Sequence, residues 1–452
     1  MLSAAGEWLE QRFGIVRVRK VFDQLRHSLS FIPGMYVLGA IVLVQVTLLI
    51  DRNLDDGWLP EVLTTTVGSA RAVLGAMAGG LITSITLLLS MMLITIQLAS
   101  AQFSPRTLRD WLGDRLLQHT VGLALGTTVF SLLALRAART FGEGENVVAV
   151  TPHFSVLLAL ALGVLALFGV VRSVDHVTHS VRIGSVSRRI ANETIEVARS
   201  GNELRAGQRP AAVPATTLDG TEPDQHGIPD SASPIITPYA GWVQQIDEAS
   251  IIEALPDGAT GYITAPLGGF IPAEAPLMWV DPPQSEDDEV HQRLADAFAT
   301  GDSRTMQQDV AFGLLQLTDI AVRALSPGVN DPSTANDVVV QLGNVMLALW
   351  AQPQAHATRS EDGRTIVRHQ AGHGEHLNRA FEPIRRYGIA DPHVLTGLVR
   401  VLLMIRSEAA RRDLPGPLEP IDALIDAIGE TADRSVWSAS EGDDFDALMS
   451  QR

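Results

Sequence analysis

The 452-residue sequence contains no cysteine. Disulfides, thiolate metal sites and cysteine nucleophiles are therefore excluded. Lysine is nearly absent too, because Lys20 is the only one. A phosphate-binding loop is also missing, since no Gly-Lys-Ser/Thr sequence follows the glycines of residues 258–269. These glycines predict turns between short strands instead.

Long apolar runs are absent after Val181, and the charge divides near the same point. Residues 1–200 contain 17 Lys and Arg against 14 Asp and Glu, which is a net charge of +3. The remaining residues contain 17 against 37, a net charge of −20. An acidic second half argues against a nucleic-acid partner, because phosphate binding needs a basic surface. It suits a solvated domain held off an anionic membrane surface.

Four apolar runs before Val181 are long enough to cross a bilayer. We predict a four-helix α transmembrane region with spans at about residues 31–50, 72–98, 116–138 and 153–174. Arginine is concentrated before the first span, in the second loop and after the fourth span. By the positive-inside rule, both termini are expected to be cytoplasmic, with short external loops.

The rest of the chain changes its pattern several times. We expect a cytosolic α+β part, made of a small β-barrel or sandwich-like module and a helical domain. The expected segments are a basic interfacial helix (1–30), the four-span domain (31–180), a juxtamembrane helix (181–204), a flexible linker (205–234), the β module (235–282), the helical domain (285–430), with a polar mobile excursion at 352–375, and a loose tail with one amphipathic turn (431–452).

The second span carries a stripe of small and polar residues, called here the polar stripe. At about 100° per residue, one face collects glycine, hydroxyl and amide side chains, namely Gly79, Thr83, Thr86, Ser90 and Gln97. Of the bulky apolar residues, only Leu87 and Ile94 fall on this face, and the opposite face carries Leu81, Ile85, Leu88, Leu89, Met92 and Ile96. We expect one face to meet lipid and the other to meet something else. The stripe predicts either the wall of a pathway, closed by an oligomer, or a face for close helix packing.

Two histidines follow the fourth span in the sequence Asp175-His176-Val177-Thr178-His179. Their spacing would allow Asp175, His176 and His179 to share a metal on one helix face. A third firm ligand is not evident, and hydrogen bonding at the membrane surface explains the same residues. We therefore expect no metal.

A third motif lies in the second half, QQDVAFGLLQLTDIAVRALSPGVNDPSTAND, after Arg304. Asp309, Asp319 and Arg323 have helical spacing. Ser326-Pro327 ends that helix, Asn330 and Asp331 form a turn, and Thr334 is expected to cap a helix that starts near Ala335. The motif predicts either a structural helix–turn–helix or a ligand or subunit-contact site.

Catalytic chemistry has little support in this sequence. The third motif lacks a nucleophile and base pair, and no metal triad or cofactor fingerprint occurs elsewhere. The β module loosely resembles a biotinyl or lipoyl barrel-sandwich domain in the spacing of its glycine-rich turns, but it has no lysine to carry a cofactor. We expect no enzyme activity and no cofactor.

Several motifs together resemble the bacterial membrane family called domain of unknown function 2254. They are QLASAQFSPR at the end of the second span, DHVTH after the fourth, GWVQQID, and above all QDVAFGLLQLTDIAVRALSPGVNDPSTA. The resemblance covers roughly residues 15–430. It implies an integral protein of the bacterial inner membrane, and it brings no activity, substrate or catalytic residue.

The leading functional hypothesis is an oligomeric channel or transport protein. The second span would line the pathway, and the acidic cytosolic domain would gate or assemble it. Four spans with one polar stripe hardly enclose a pathway alone, so the partners expected are the bilayer, further copies of the chain, and an ion or small ligand. The alternative is a membrane-anchored scaffold or ligand sensor without transport.

Overall fold

The computed structural model describes residues 30–53, 66–102, 114–141, 148–150, 152–180, 183–203, 227–283, 289–351, 358–368, 371–414 and 417–451. These residues divide into an N-terminal unit, which ends at Ser180, and a C-terminal unit, which begins at Ile183. The interfacial helix predicted for residues 1–30 and most of the predicted linker lie outside the described residues.

The N-terminal unit is built from four long apolar helices, as the sequence predicts. They are α1 Phe31–Asn53, α2 Val67–Gln102, α3 Arg115–Ala137 and α4 His153–Ser180. All four are long and apolar enough to cross a membrane. Helix α3 packs against the other three, and 56 % of its most apolar 18 residues are buried, against 22–28 % in the others. It is therefore the central helix of this unit.

Small residues on α3 let α1 approach closely. A Cβ added to Gly122 would lie 2.6 Å from the Tyr36 ring, and one added to Gly126 would lie 3.0 Å from the Tyr36 carbonyl oxygen. Such contacts are typical of helix association in lipid, where apolar burial gives little driving force. A short antiparallel hairpin, β1 Arg139–Phe141 and β2 Val148–Val150, joins α3 to α4.

The C-terminal unit begins with α5 Ile183–Glu203 and then contains two sheets. Its strands are β3 Ser233–Ile236, β4 Gly241–Ile246, β5 Thr260–Ile263, β6 Phe270–Ile271, β7 Pro276–Asp281, β8 Phe298–Gly301, β9 Thr358–Glu361 and β10 Arg364–Arg368. The orders are β3-β7-β5-β10-β9 and β6-β4-β8. Neither sheet closes on itself within the described residues, so the expectation of a small β-barrel is wrong.

Strands β9 and β10 lie in the segment that we expected to be a mobile excursion. Strand β10 pairs in parallel with β5, about 100 residues earlier in the chain. Arg364 holds the Asp257 carboxylate at 2.7 Å, and Arg368 holds Glu248 at 3.1 Å. The described part of this segment, residues 358–368, is therefore an ordered edge of the five-stranded sheet.

Two short helices accompany the sheets, α6 Glu248–Ala254 and α7 Glu289–Asp296. Apolar residues from both sheets and both helices form one buried core, in which Ile235, Val243 and Ile251 are fully buried. Buried and exposed residues tend to alternate along the strands, and the buried ones form an interior of the β module itself.

The remaining helices are α8 Val310–Ala324, α9 Pro332–Trp350, α10 His373–Tyr387, α11 Pro392–Arg411, α12 Leu418–Thr431 and α13 Ala439–Met449. Helix α13 lies where we expected a loose tail. It starts with a capping box of Ser438 and Glu441 and buries Phe445 completely. The end of the chain is thus part of the packed unit through α13.

Candidate functional site

The polar stripe of α2 lies on the outer surface of the N-terminal unit. All five of its residues are exposed, and a Cβ added to Gly79 would meet no atom within 4 Å. The middle of the opposite face, which we expected to meet lipid, is buried instead, with Leu81, Leu88 and Met92 only 2 %, 3 % and 8 % exposed. The stripe is therefore not used for packing against another helix of the same subunit within the described residues.

The stripe hydroxyls bond to their own helix. Thr83 Oγ1 donates to the Gly79 carbonyl at 3.0 Å, and Ser90 Oγ donates to the Thr86 carbonyl at 2.8 Å. These bonds satisfy each hydroxyl proton within the helix and leave the oxygen lone pairs facing outward. The hydroxyl donors of the stripe are therefore paired, whereas the Gln97 amide has no hydrogen bond among the described residues.

A second set of polar residues, which the sequence analysis did not single out as a site, lies inside the N-terminal unit. Thr120, Thr127 and Ser131 of α3 are at most 4 % exposed. Ser173 Oγ of α4 donates to Thr120 Oγ1 at 2.9 Å. These hydroxyls lie at the contacts of the central helix, so their environment is that of helix packing.

Asp51, at the end of α1, caps the start of α4. Its carboxylate accepts hydrogen bonds from the Phe154 amide at 2.7 Å, the Ser155 amide at 3.2 Å and the Ser155 hydroxyl at 2.6 Å. A carboxylate at a helix N-terminus satisfies amide donors and complements the helix dipole. Asp51 therefore ties two apolar helices together at one end of the unit.

The two candidate metal ligands whose side chains are described, Asp175 and His176, have different partners. His176 Nε2 lies 2.7 Å from Asp114 Oδ2, while Asp175 pairs with Arg172 at 3.3 Å. The His179 side chain lies outside the described residues. Among the described residues, no group of three or more His, Asp and Glu could hold a metal ion. Asp114 also caps α3 by accepting from the Leu117 amide at 3.1 Å.

Asp309 forms a buried junction at the start of α8. Its Oδ1 accepts from the Phe312 amide at 3.0 Å, and its Oδ2 accepts from Arg304 Nη2 at 2.6 Å. The side chain is 3 % exposed. Burial raises the pKa of this carboxyl, while the charge of Arg304 opposes that shift. A Cβ at Gly268 (φ +72°) would lie 1.9 Å from Asp309 Oδ2, so glycine is needed there.

Asp331 is the N-cap of α9. Its Oδ1 accepts from the Thr334 amide at 3.0 Å, and its Oδ2 accepts from the Thr334 hydroxyl at 2.6 Å. These hydrogen bonds lower the pKa of Asp331. The expected cap at Thr334 is wrong, because the helix begins at Pro332 and Thr334 is its third residue. Asn330, exposed and at φ +47°, forms the turn before the cap.

The predicted ligand residues of the third motif do not meet at one point. Asp309 precedes α8 and Asp331 follows it, and the 15 residues of α8 separate them by about 22 Å along the helix axis. Asp319 and Arg323 lie between these ends and are half-buried. The motif therefore consists of two consecutive helices, α8 and the start of α9, and each helix has an aspartate as its N-cap.

Two of the sequence motifs contact each other. Gln308 accepts from the Ile246 amide at 3.0 Å and donates to the Ile246 carbonyl at 3.4 Å, as a neighbouring strand would. Gln245 donates to the Gln307 side chain. Hydrogen bonds thus join the GWVQQID strand to the QQD segment before α8. The contact could not be predicted from local sequence patterns, because 62 residues separate the two motifs.

Helix α5 packs against α8 and α9. At the contact, a Cβ added to Gly313 would lie 2.0 Å from Thr194 Oγ1, and Thr194 is fully buried. A glycine in the middle of a helix is the signal that could have indicated this close approach. The third motif is therefore joined to α5, the helix that follows the fourth span in the chain.

Comparison with known proteins identifies the chain's relatives. It is 29 % identical over 403 residues to uncharacterized proteins of Mycobacterium bovis and of two strains of Mycobacterium tuberculosis, covering 85 % of this chain and 73 % of each relative. No solved structure matches the chain. The model of the family described as "Predicted membrane protein (DUF2254)" matches residues 26–404. The chain belongs to this family of membrane proteins.

Proposed function

We propose that this protein is a channel or transport protein of the bacterial inner membrane, and that it works as a homo-oligomer. The polar stripe of α2 would line a pathway enclosed by several copies of the chain. The observation that carries the proposal is the exposure of the stripe on the outer surface of the subunit.

The length of the stripe supports this proposal. Gly79 and Gln97 are 18 residues apart, which is about 27 Å along a helix. The hydrocarbon core of a bilayer is about 30 Å thick. The stripe is therefore long enough to cross almost the whole apolar layer. One subunit exposes it without enclosing it, so a pathway requires neighbouring copies.

The composition of the remaining outer surface supports the same proposal. Large apolar side chains are exposed on the other spans, including Leu38 at 66 %, Leu132 at 47 % and Phe168 at 71 %, and on the stripe face itself Leu87 and Ile94 are exposed at 68 % and 57 %. Such residues suit contact with lipid tails, whereas hydroxyl and amide groups do not. The hydroxyl and amide groups of the stripe thus fit a helix or water as their neighbour.

The C-terminal unit would act as the cytoplasmic gating or assembly domain. The arginine-rich flanks of the spans favour cytoplasmic termini. The third motif is packed on α5, which starts three residues after the end of α4. A movement of α8 could therefore be passed to α5 by packing, and from α5 to the fourth span through the short segment that connects them.

The test is ion flux into liposomes that contain the purified protein, together with its mass in detergent. Wild type should be oligomeric and should conduct, and Ser90→Leu or Gln97→Leu should reduce flux without changing the melting temperature. Ser84→Leu is the matched control, because Ser84 makes the same hydrogen bond, to the Gly80 carbonyl at 2.9 Å, away from the stripe. Absence of flux under any gradient, with a monomeric mass, would refute the proposal.

A membrane-anchored scaffold or ligand sensor is the second candidate function. The observation that favours it is the exposed turn before α9, in which Val329 is 55 % exposed and Asn330 is exposed. In that case Val329→Ser should weaken binding of a partner protein and leave the stripe variants without effect. Flux that is sensitive to Ser90→Leu would exclude this alternative.

A further inference from the structure

Unpaired positive charge in the C-terminal unit is concentrated on α5. Most arginines of this unit hold an acidic partner, as Arg304 holds Asp309 and Arg406 holds Asp422. Within the described residues, no hydrogen bond or ion pair is found for four arginines: Arg188, Arg189, Arg199 and Arg400. Three of these lie on α5. Because residues 201–452 carry a net charge of −20, free guanidinium groups are unusual in this unit.

Two of the free arginines lie together in a shallow depression. Its volume is about 420 Å³, and its described lining is Ser185, Arg188, Arg189, Asn192, Glu193 and Glu196. Ser185, Arg188, Arg189 and Asn192 are all exposed. An amide and two guanidinium groups provide several donors, and guanidinium binds phosphate oxygens in a bidentate manner. Glu193 and Glu196, which follow Asn192 along the helix, line the same depression.

The position of these arginines in the chain indicates which phosphate they meet. Helix α4, the fourth span, ends at Ser180 and α5 begins at Ile183. Arg188 is therefore eight residues beyond the span, and the connecting chain reaches at most about 28 Å. Lipid headgroups at the end of that span lie within this distance and are present at high local concentration, unlike free phosphate.

We propose that Arg188, Arg189 and Asn192 bind the phosphate of an anionic phospholipid headgroup. The α5 helix then binds according to the charge of the surrounding lipids. Because α5 packs on α8 and α9, lipid binding is connected to the third motif. The proposal concerns lipid recognition only, so it stands whether or not the protein transports anything.

The test is lipid binding by the full-length protein in detergent, followed by native mass spectrometry and by thermal melting. Phosphatidylglycerol and phosphatidylcholine are titrated separately. We expect wild type to retain phosphatidylglycerol in preference, and Arg188→Gln/Arg189→Gln to lose about 30-fold in affinity for it. The matched control, Arg199→Gln/Arg400→Gln, removes the same charge from the other two free arginines and should keep the wild-type affinity.

Three results would overturn the proposal. They are unchanged phosphatidylglycerol affinity in the Arg188/Arg189 variant, an equal loss in the control variant, and displacement of the lipid by an equimolar amount of inorganic phosphate. The last result would assign the depression to free phosphate. If the glutamine variant melts abnormally without lipid, Arg188→Lys/Arg189→Lys replaces it. That variant keeps the charge and should bind more weakly than wild type, because lysine lacks the bidentate geometry.

Discussion

The contact between α5 and α8 leads to a quantitative prediction for Gly313→Ala. The added Cβ would lie 2.0 Å from Thr194 Oγ1 and 2.9 Å from Thr194 Cβ and Cγ2. Thr194 cannot easily move aside, because it is fully buried and its hydroxyl donates to the Ile190 carbonyl at 2.6 Å. A β-branched side chain in a helix also has few rotamers. The two helices must therefore separate locally.

Overpacking of this kind costs about 1–3 kcal/mol of unfolding free energy. We expect about 2 kcal/mol for Gly313→Ala, and a melting temperature lower by about 4–8 °C for a unit of this size. The measurement is thermal unfolding of the full chain in detergent, followed by tryptophan fluorescence. Gly328→Ala is the matched control, since a Cβ there would meet no atom within 4 Å.

The double variant Thr194→Ala/Gly313→Ala separates the steric effect from the change in helix propensity, which favours alanine over glycine. Thr194→Ala removes two of the three crowding atoms, Oγ1 and Cγ2. We expect a coupling energy of about 1 kcal/mol, so the double variant should be more stable than the sum of the two single effects. The reasoning is refuted if Gly313→Ala melts at the same temperature as Gly328→Ala, or if the two changes simply add.

Two further predictions concern ionisable groups of the C-terminal unit. Burial lowers the pKa of His376 to about 4. The unfolded chain therefore binds a proton at about pH 6.5, whereas the folded chain binds it only near pH 4. Stability should therefore fall as the pH drops from about 6.5 to about 4, by at most about 3 kcal/mol. Melting at several pH values should show a larger loss in wild type and in the exposed control His393→Gln than in His376→Leu, in which half-buried His373, whose pKa is also lowered by burial, still contributes. Arg304→Met should cost about 3 kcal/mol by leaving Asp309 buried without its cation. Asp309→Asn should cost less, because an amide oxygen can still cap α8, and equal losses in the two variants would contradict this account.

The helical periodicity of α2 was sufficient to predict its two faces, because the rise and rotation of a helix are local properties. It did not predict which face packs. Leu81, Leu88 and Met92 lie on the face that we expected to meet lipid, and the structure buries them. Whether the opposite face meets lipid, water or a second copy depends on neighbours that periodicity does not describe.

The sheet arrangement could not be predicted in the same way. Parallel pairing of β10 with β5 joins segments about 100 residues apart, and no local pattern encodes such a partner. The charged residues of β9 and β10 suggest a solvated loop, yet Arg364 and Arg368 are satisfied by acids of the β module. The end of the chain was misjudged for a related reason, because burial of Phe445 outweighs the polar residues around it.

The third motif illustrates how a specific sequence pattern can be explained by structure alone. Asp309 and Asp331 are typical ligand residues, but each is occupied as a helix cap. Asp309 is also neutralised by Arg304 in a space that only a glycine leaves open. These residues have internal partners that already explain their chemistry, so they do not themselves indicate a ligand.

The same reasoning distinguishes the two polar systems of the membrane helices. Within the subunit, Thr120 has Ser173 as a partner and Asp51 has the start of α4, so these groups are explained by packing. The polar stripe has no neighbouring helix among the described residues of its own subunit. Polar groups left outside a membrane subunit are costly unless another surface meets them. The stripe is therefore the feature of this fold that calls for a partner, and its exposure supports oligomerisation more strongly than composition does.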